Sequence, residues 1–228
     1  MFVIPSHGRL QKLLQLCESM SDGDRAQPTM VVVCDQDPTY VDYFKEIWPD
    51  SWRIKVAYGD FTYCGEKMNW ALEALPEAKF YGHLCDDVLL QGKDVLAELV
   101  EAAGDWYMAY PNDGIYNTDL ACFPVSGGKL IREIGWWAHP MFKHNCLDSV
   151  LDDLGRTLKI HKPMMHLRYI VKHPLLNTAE WDDTYRRVEK INSEAGYLYD
   201  TQWKDSAARN ELLARLNSAL ARNEVTRV

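Results

Sequence analysis

The chain has 228 residues, of which 47% are hydrophobic and 25% charged, as in a globular domain with a sizeable core. Its net charge of −8 excludes a basic surface spread over the whole molecule, and no stretch approaches the roughly 20 apolar residues of a membrane span. The start of the chain, MFVIPSHGR, has neither the basic region nor the long apolar core of a signal peptide, so we expect a cytoplasmic protein without a membrane partner.

Strand and helix patterns alternate over the first half of the chain. Short β-branched or apolar runs predict five strands, and segments with apolar residues at helical spacing lie between them. In chain order, the predicted strands are MFVIP, TMVVVCD, WRIKVAYG, KFYGHLCDD and DWYMAYPND, and the predicted helices are GRLQKLLQLCESM, PTYVDYFKEIW, GEKMNWALEALPEA and GKDVLAELVEAAG. This alternation predicts an α/β, Rossmann-like fold whose mainly parallel sheet has helices on both faces.

The alternation stops after residue 113. The run NTDLACFPVSGGKLIREIG predicts a strand or loop and then a short helix, and NCLDSVLDDLGRTLKI predicts a longer helix. Near the C-terminus, WKDSAARNELLARLNSALARN carries a leucine stripe that predicts an amphipathic helix packed on a core. We therefore divide the chain into an α/β half over 1–113, a second half of the same domain over 114–185, and a helical C-terminal extension over 186–228.

Four aspartates directly follow predicted strands: Asp35, Asp86, Asp87 and Asp113. The carboxyl ends of parallel strands meet at one edge of a sheet, where α/β folds bind their ligands. Any one of these side chains has an alternative role as a helix cap, but that role does not explain an adjacent pair. Paired carboxylates suit a hard cation such as Mn²⁺ or Mg²⁺, which can stabilise a diphosphate leaving group.

Two common nucleotide-binding motifs are absent from the sequence. It contains neither G-x-G-x-x-G after the first strand nor G-x-x-x-x-G-K-[ST], so dinucleotide-dependent oxidoreduction and P-loop chemistry lose support. The loop PSHGR instead opens a predicted helix, where backbone donors and Arg9 can approach a phosphate or base.

One segment departs from the acidic character of the chain. Residues 156–173 contain five lysines and arginines and three histidines but no acidic residue. This stretch is predicted to attract an anion locally, either the phosphates of a nucleic acid or the diphosphate of a nucleotide donor.

Five segments, taken together and in order, resemble the GT-A nucleotide-sugar glycosyltransferases of compact bacterial or viral type. These segments are VIPSHGR, VVVCD, GEKMNWAL, YGHLCDDV and NCLDSVLDDLG, and the resemblance extends over residues 1–185. It implies a GT-A fold, a UDP-sugar donor bound by the first half of the domain, and an acceptor bound by the second half. Where the family has Asp-x-Asp, this chain has Cys85, Asp86 and Asp87, so metal dependence rests mainly on Asp87.

Carried over by the resemblance, several side chains would surround the donor. Asp87 would bind Mn²⁺ or Mg²⁺, and His166 is the best candidate for a further metal ligand, although a structural histidine is the alternative. The competing histidines are His161 and His173. The residues implied in nucleotide-sugar binding are Pro5, Ser6, Arg9 and Asp35 around the nucleoside, Lys67 and Asn69 near the base or diphosphate, and Asp86 near the sugar or a metal-bound water.

An inverting glycosyltransferase needs a carboxylate that takes the proton from the acceptor hydroxyl. The resemblance places Asp148 in this role, with Asp113 as the rival. We expect Asp152 and Asp153, further along the same helix, to be solvated. A retaining enzyme would need no such base, and the sequence leaves that alternative open.

The acceptor is the least defined partner. Trp136 and Trp137 are candidates for an aromatic platform that stacks on a sugar or a base, with core packing as the alternative. Because some relatives of this type glycosylate hydroxymethylated pyrimidines in DNA, that base is our first hypothesis for the acceptor. The alternatives are a saccharide or small-molecule acceptor, a nucleotidyltransferase, and a non-catalytic module that binds sugar or nucleic acid.

Overall fold

The computed structural model describes residues 1–26, 30–35, 54–59, 61–171, 186, 191 and 194–228. Within these ranges, eight strands form one mixed sheet. The strands are β1 (Phe2–Ser6), β2 (Met30–Asp35), β3 (Ile54–Gly59), β4 (Phe80–His83), β5 (Val88–Gln91), β6 (Met108–Asn112), β7 (Val125–Gly127) and β8 (His161–Val171). The predicted helix over 38–48 lies outside the described residues.

The sheet has the strand order β3-β2-β1-β4-β7-β6-β8-β5. Strands β3, β2, β1 and β4 are parallel, β7 is antiparallel to both of its neighbours, β8 is parallel to β6, and β5 pairs antiparallel with β8 at the edge. The carboxyl ends of β1, β2, β4 and β6 therefore lie along one edge of the sheet. This arrangement confirms the predicted α/β class with a mainly parallel sheet.

Helices cover both faces of this sheet. Alternate residues of a strand point to opposite faces, and in β1 Phe2 and Ile4 belong to one hydrophobic cluster while Val3 belongs to the other. The helices are α1 (Leu10–Glu18), α2 (Asp22–Arg25), α3 (Cys64–Ala74), α4 (Val95–Ala103), α5 (Gly128–Ile134), α6 (Leu147–Leu158) and α7 (Ala207–Arg222), with a π-helical stretch at Tyr199–Trp203. Helices α1 and α4 pack on one face, and α5, α6 and α7 contribute to the cluster on the other.

The C-terminal helix belongs to the main core. Leu212, Leu213, Leu216 and Leu220 of α7 are buried in the same cluster as the apolar residues of α5 and α6. This confirms that the leucine stripe packs on a core.

Asp153 helps to fasten this part of the chain, contrary to the expectation that it is solvated. Its carboxylate accepts two bonds of 2.6 Å from the Arg209 guanidinium and one of 3.0 Å from Trp203 Nε1. A bidentate arginine pair of this kind fixes geometry as well as charge. The side chain therefore joins α6 both to the π-helical stretch and to α7.

None of the helices in the described ranges is both long and apolar enough to cross a lipid bilayer.

Candidate active site

The first component of the site is the loop between β1 and α1. Strand β1 ends at Ser6, and Gly8 has a φ of +61°, a left-handed conformation that glycine adopts without strain. The chain turns there and enters α1 at Leu10. This turn places the side chains of Ser6 and Arg9 at the end of the neighbouring strand β4.

Asp86 and Asp87 form a buried carboxylate pair in the turn after β4. Only 3% of Asp86 and 7% of Asp87 is exposed. Ser6 Oγ donates to Asp86 Oδ2 at 2.8 Å, and Arg9 Nη1 lies 3.2 Å from Asp86 Oδ1 and 3.5 Å from Asp87 Oδ2. Burial and the adjacent Asp87 charge raise the pKa of Asp86, although Arg9 and Ser6 act in the opposite direction.

A second buried cation reaches this place from α3. The start of that helix is fixed by Glu66, whose carboxylate accepts the backbone N–H groups of Thr62 and Tyr63 at 2.9 and 3.0 Å. One residue further along the helix, Lys67 is 3% exposed, and its Nζ donates to the Ser6 carbonyl oxygen at 3.0 Å. Ser6 therefore connects Lys67 to the carboxylate pair.

Asn69, two residues further along α3, holds a neighbouring loop in place. Its Oδ1 accepts the backbone N–H groups of Trp137 and Ala138 at 3.0 and 2.9 Å, and its Nδ2 donates to the Ala138 carbonyl at 2.7 Å. These three bonds attach the 137–138 turn to α3, a structural role that the sequence did not indicate.

Asp148 lies in the first turn of α6, which begins after Cys146 in a left-handed conformation. Its Oδ1 lies 3.3 Å from Nε2 of His83, the last residue of β4, and the backbone N–H of Phe123 donates to the carboxylate. Burial, followed by the charges of Asp113 and Asp152, raises the pKa of Asp148 to about 7. Asp148 Oδ1 is buried, while 22% of the side chain as a whole is exposed.

Asp148 and the carboxylate pair share one neighbourhood. Burial is the main cause that raises the pKa of the Cys64 thiol to about 12, and the charges of both Asp148 and Asp86 act on the same thiol in the same direction. Burial, together with the charges of Asp87, Asp86 and Asp148, also raises the pKa of the Cys85 thiol. The structure thus brings together the predicted base and the predicted metal-binding pair.

Asp113, the rival base, is buried where β6 ends. Its Oδ1 accepts the backbone N–H groups of Ile115, Tyr116 and Asn117 at 2.9–3.1 Å. One oxygen is therefore committed to fixing the following loop. The Asp113 charge also raises the pKa of Asp148, so the two carboxylates are neighbours.

Asp152 is buried as well, so the expectation that it is solvated is wrong. Its Oδ1 accepts the N–H of Ala121 at 3.0 Å, and its Oδ2 accepts Arg156 Nε at 2.7 Å. Asp152 thus connects α6 to the segment before β7, and it neutralises one of the basic residues of the acid-free stretch.

The structure does not bring His166 to the carboxylate pair. The register of β5 and β8 sets Val171 opposite Val88, next to the pair, and His166 is five residues away along β8, roughly 16 Å at strand spacing. The imidazole is 62% exposed, and its Nε2 lies 2.9 Å from Glu98 of α4. His161 faces Asp152 at 3.7 Å instead, and His173 lies outside the described residues.

The predicted aromatic platform is divided between core and surface. Trp137 is 1% exposed and packs edge-on against Tyr81, so it presents no face to an acceptor. Trp136 is half-buried and contacts the rings of His139 and Trp203. Consecutive residues in a turn point in different directions, which explains why only one of the two is a candidate for stacking.

Two further predicted residues lie along the same edge. Pro5 is half-buried in β1. Asp35 is the last residue of β2, and its backbone pairs with Gly59 of β3. The Asp35 side chain lies outside the described part of the molecule. His83 was missed by the sequence reasoning, although a histidine at the end of an apolar strand directly before two aspartates was a usable signal.

The carboxylate pair has the chemistry of a divalent-cation site. Asp86 and Asp87 would supply carboxylate oxygens, and within the ranges that the structure describes no group of three or more potential metal-binding side chains is found. Carboxylate oxygens are the ligands preferred by Mg²⁺ and Mn²⁺, and a buried pair of like charges is stabilised by a cation. The residues present therefore fit such an ion.

No protein-family model and no curated protein matches the chain. Several solved structures share its fold. The mannosyltransferase PcManGT from Pyrobaculum calidifontis, solved with GDP-Man and Mn²⁺, has a TM-score of 0.61 at 12% identity, over 100% of this chain and 75% of its own. GalNAc-T7, solved with UDP, GalNAc and Mn²⁺, has a TM-score of 0.60 at 10% identity, over 98% of this chain and 56% of its own.

The S. aureus protein TarS has a TM-score of 0.56 at 14% identity, over 96% of this chain, which spans 43% of the length of TarS. Together these structures define the class of the fold: the chain has the GT-A fold of nucleotide-sugar glycosyltransferases. Identities this low establish the fold alone.

Proposed function

We propose that the chain is a divalent-metal-dependent glycosyltransferase that moves a sugar from a UDP-sugar to an acceptor hydroxyl with inversion. One observation carries the proposal. The buried pair Asp86 and Asp87 follows β4 directly, and the half-buried Asp148 lies 3.3 Å from His83, the last residue of that strand, at the edge of a GT-A sheet where α/β folds bind their ligands.

The donor would lie over the carboxylate pair. Asp87 would hold the metal, with Asp86 beside it, and a bound Mn²⁺ or Mg²⁺ would neutralise the diphosphate and make it a better leaving group. Arg9 and Lys67 add fixed positive charge next to the pair. The related structures contain UDP, UDP-GlcNAc or GDP-Man, which supports a nucleotide-sugar donor.

The chemical step assigned to this chain is a proton transfer to Asp148. As the acceptor oxygen attacks the anomeric carbon, the carboxylate takes the hydroxyl proton, and the nucleoside diphosphate departs from the opposite face. A general base works best when its pKa is close to the working pH, and the raised pKa of Asp148, about 7, meets this condition.

Thermal unfolding with a panel of nucleotides tests the donor and the metal together. We expect UDP or a UDP-sugar to raise the melting temperature by several degrees with Mn²⁺ and by much less with a chelator, because a ligand that binds only the folded state stabilises it. A rise with nucleoside triphosphates and none with diphosphates would favour a nucleotidyltransferase. No response to any nucleotide would favour a non-catalytic module.

For the acceptor, we propose a hydroxymethylated pyrimidine in DNA. Fewer residues remain available to bind it than the sequence predicted. Arg156 is paired with Asp152, and the Lys162 ammonium lies 3.7 Å from the centre of the Tyr107 ring. Exposed Lys159 and Arg168 remain as candidates for contact with phosphates, and half-buried Trp136 remains for stacking.

Incubation of hydroxymethylated and unmodified duplexes with UDP-sugars, followed by nucleoside mass analysis, tests this acceptor. A gain of one hexose on the modified base alone is expected, together with DNA binding that weakens steeply as salt rises. Transfer to a saccharide or small molecule, with no mass gain on either duplex, would exclude DNA and leave the donor chemistry intact.

A further inference from the structure

Among the described residues, His83 places a ring nitrogen next to the carboxylate of Asp148. It ends β4, is 4% exposed, and presents Nε2 to Asp148 Oδ1 at 3.3 Å. Its ring lies 5.6 Å from the ring of Phe123, the residue whose backbone N–H donates to the same carboxylate. Two separate segments, the end of β4 and the residue before Pro124, thus converge on Asp148.

The imidazole is poised as a neutral donor. Burial lowers the pKa of His83 to about 4, so at neutral pH the ring carries a single N–H. Among the described residues, Nδ1 has no hydrogen-bond partner and Asp148 Oδ1 accepts no bond in this geometry. A small rotation of either side chain would convert the 3.3 Å contact into a bond from Nε2–H, and catalytic hydrogen bonds often tighten in this way when substrate binds.

The other groups acting on Asp148 oppose its ionisation or are neutral. The carboxylates of Asp113, at the end of β6, and Asp152, on α6, both raise its pKa. Four thiols, which burial keeps protonated, also face this charge: Cys64, Cys85, Cys122 and Cys146. Within the described part of the chain, a stabilising N–H can come from the Phe123 backbone and from the His83 ring.

We propose that His83 is the positioning residue of Asp148. Its neutral imidazole donates Nε2–H to the ionised carboxylate, aims the other oxygen at the acceptor hydroxyl, and keeps the base ionised at neutral pH. The inference rests on the proposed function in one respect, the assignment of Asp148 as the base.

Two substitutions of His83 separate the effect of its N–H group from the effect of its ring shape. His83→Phe keeps a planar ring without a donor, and His83→Gln places an amide Nε2–H close to the position of the imidazole nitrogen. The matched control is His161→Phe, because His161 is also largely buried and faces a different acid, Asp152. In each variant, carbon-13 NMR of the Asp148 carboxyl gives the pKa of that group directly, without any substrate.

We expect His83→Phe to raise the pKa of Asp148 by at least about one unit, which is tenfold in the ionised fraction, and His83→Gln to restore most of the difference. The pH midpoint of transfer should move by the same amount, and His161→Phe should leave both unchanged. An unchanged Asp148 pKa in His83→Phe, or equal behaviour of the Phe and Gln variants, would overturn the proposal.

Two further results keep the test decisive. If His83→Phe does not fold, nitrogen-15 NMR of the parent still reports the tautomer: a proton on Nε2 is expected, and a proton on Nδ1 would contradict the proposal. If the carboxyl pKa moves as expected but no variant, parent included, transfers sugar, the proposed function fails while the pairing of His83 with Asp148 stands.

Discussion

Replacing Asp148 with asparagine should reduce sugar transfer by about two to four orders of magnitude and leave donor affinity within a few-fold of the parent. A general base acts only in the transition state, so its loss falls on turnover rather than on ground-state binding. The introduced amide oxygen would keep the bond from the Phe123 N–H, which limits any structural disturbance. Single-turnover kinetics with the donor saturated, alongside calorimetric titration of UDP, separate the two effects.

The same substitution should stabilise the protein at alkaline pH. The folded-state pKa of Asp148, about 7, lies above its ordinary value of 3.8, so the folded protein prefers the protonated side chain. That preference contributes stability below pH 4, and the contribution is lost as the pH rises through about 7. Asparagine carries no charge at any pH, so Asp148→Asn should melt several degrees above the parent at about pH 8, with a smaller gain at about pH 5 and little gain below about pH 4.

Asp113→Asn is the control for both measurements, because Asp113 is the neighbouring carboxylate and the rival base. Near-normal transfer by Asp148→Asn would move the base to Asp113 or favour a retaining mechanism. If Asp148→Asn melts at or below the temperature of the parent at alkaline pH, the ionised Asp148 carboxylate is better stabilised in the folded protein than its burial implies.

Replacing Asp87 with asparagine should abolish the effect of metal on nucleotide binding. In the parent, we expect UDP to bind at least about tenfold more tightly with Mn²⁺ than with a chelator, since a cation held by Asp87 would neutralise the diphosphate. The introduced amide still offers an oxygen to Arg9, so the fold should persist while the anionic ligand is lost. Calorimetric titration of UDP into both proteins, with Mn²⁺ and with EDTA, measures the difference.

His166→Ala is the matched control for this experiment. Because its imidazole is exposed and lies beside Glu98, the alanine variant should keep the full metal effect. Equal UDP affinity with Mn²⁺ and EDTA in the parent would remove the metal from the proposal. A response lost in His166→Ala and kept in Asp87→Asn would exchange the roles of the two residues.

Local patterns predicted the framework and the carboxylate pair. The strands before Asp35, Asp86 and Asp113 were predictable because their apolar runs are short and end in polar residues, and parallel strands align such ends. The contact of His83 with Asp148 was not predictable, because it joins the end of β4 to the first turn of α6 and depends on how the helix packs against the sheet.

The structure departs from the predictions for His166 and Trp137 for a different reason. In strand β8 (His161–Val171), exposed and buried residues alternate only over 166–170, so the sequence pattern did not fix how the strand pairs with β5. That pairing is what carries His166 away from the carboxylate pair. Trp136 and Trp137 are adjacent and chemically identical. In the structure, the backbone N–H groups of Trp137 and Ala138 donate to Asn69 Oδ1, and the Trp137 ring packs against Tyr81 in the core.

In the proposed function, the charges around Ser6 would couple the binding of the metal to the binding of the nucleotide. Arg9 and Lys67 balance the formal charges of Asp86 and Asp87, so this quartet is electroneutral before any ligand arrives. A divalent cation entering alone would leave an excess of positive charge, and a nucleoside diphosphate entering alone would leave an excess of negative charge. Each therefore makes the other's entry more favourable, and linkage requires that UDP strengthen metal binding by the same factor by which metal strengthens the binding of UDP.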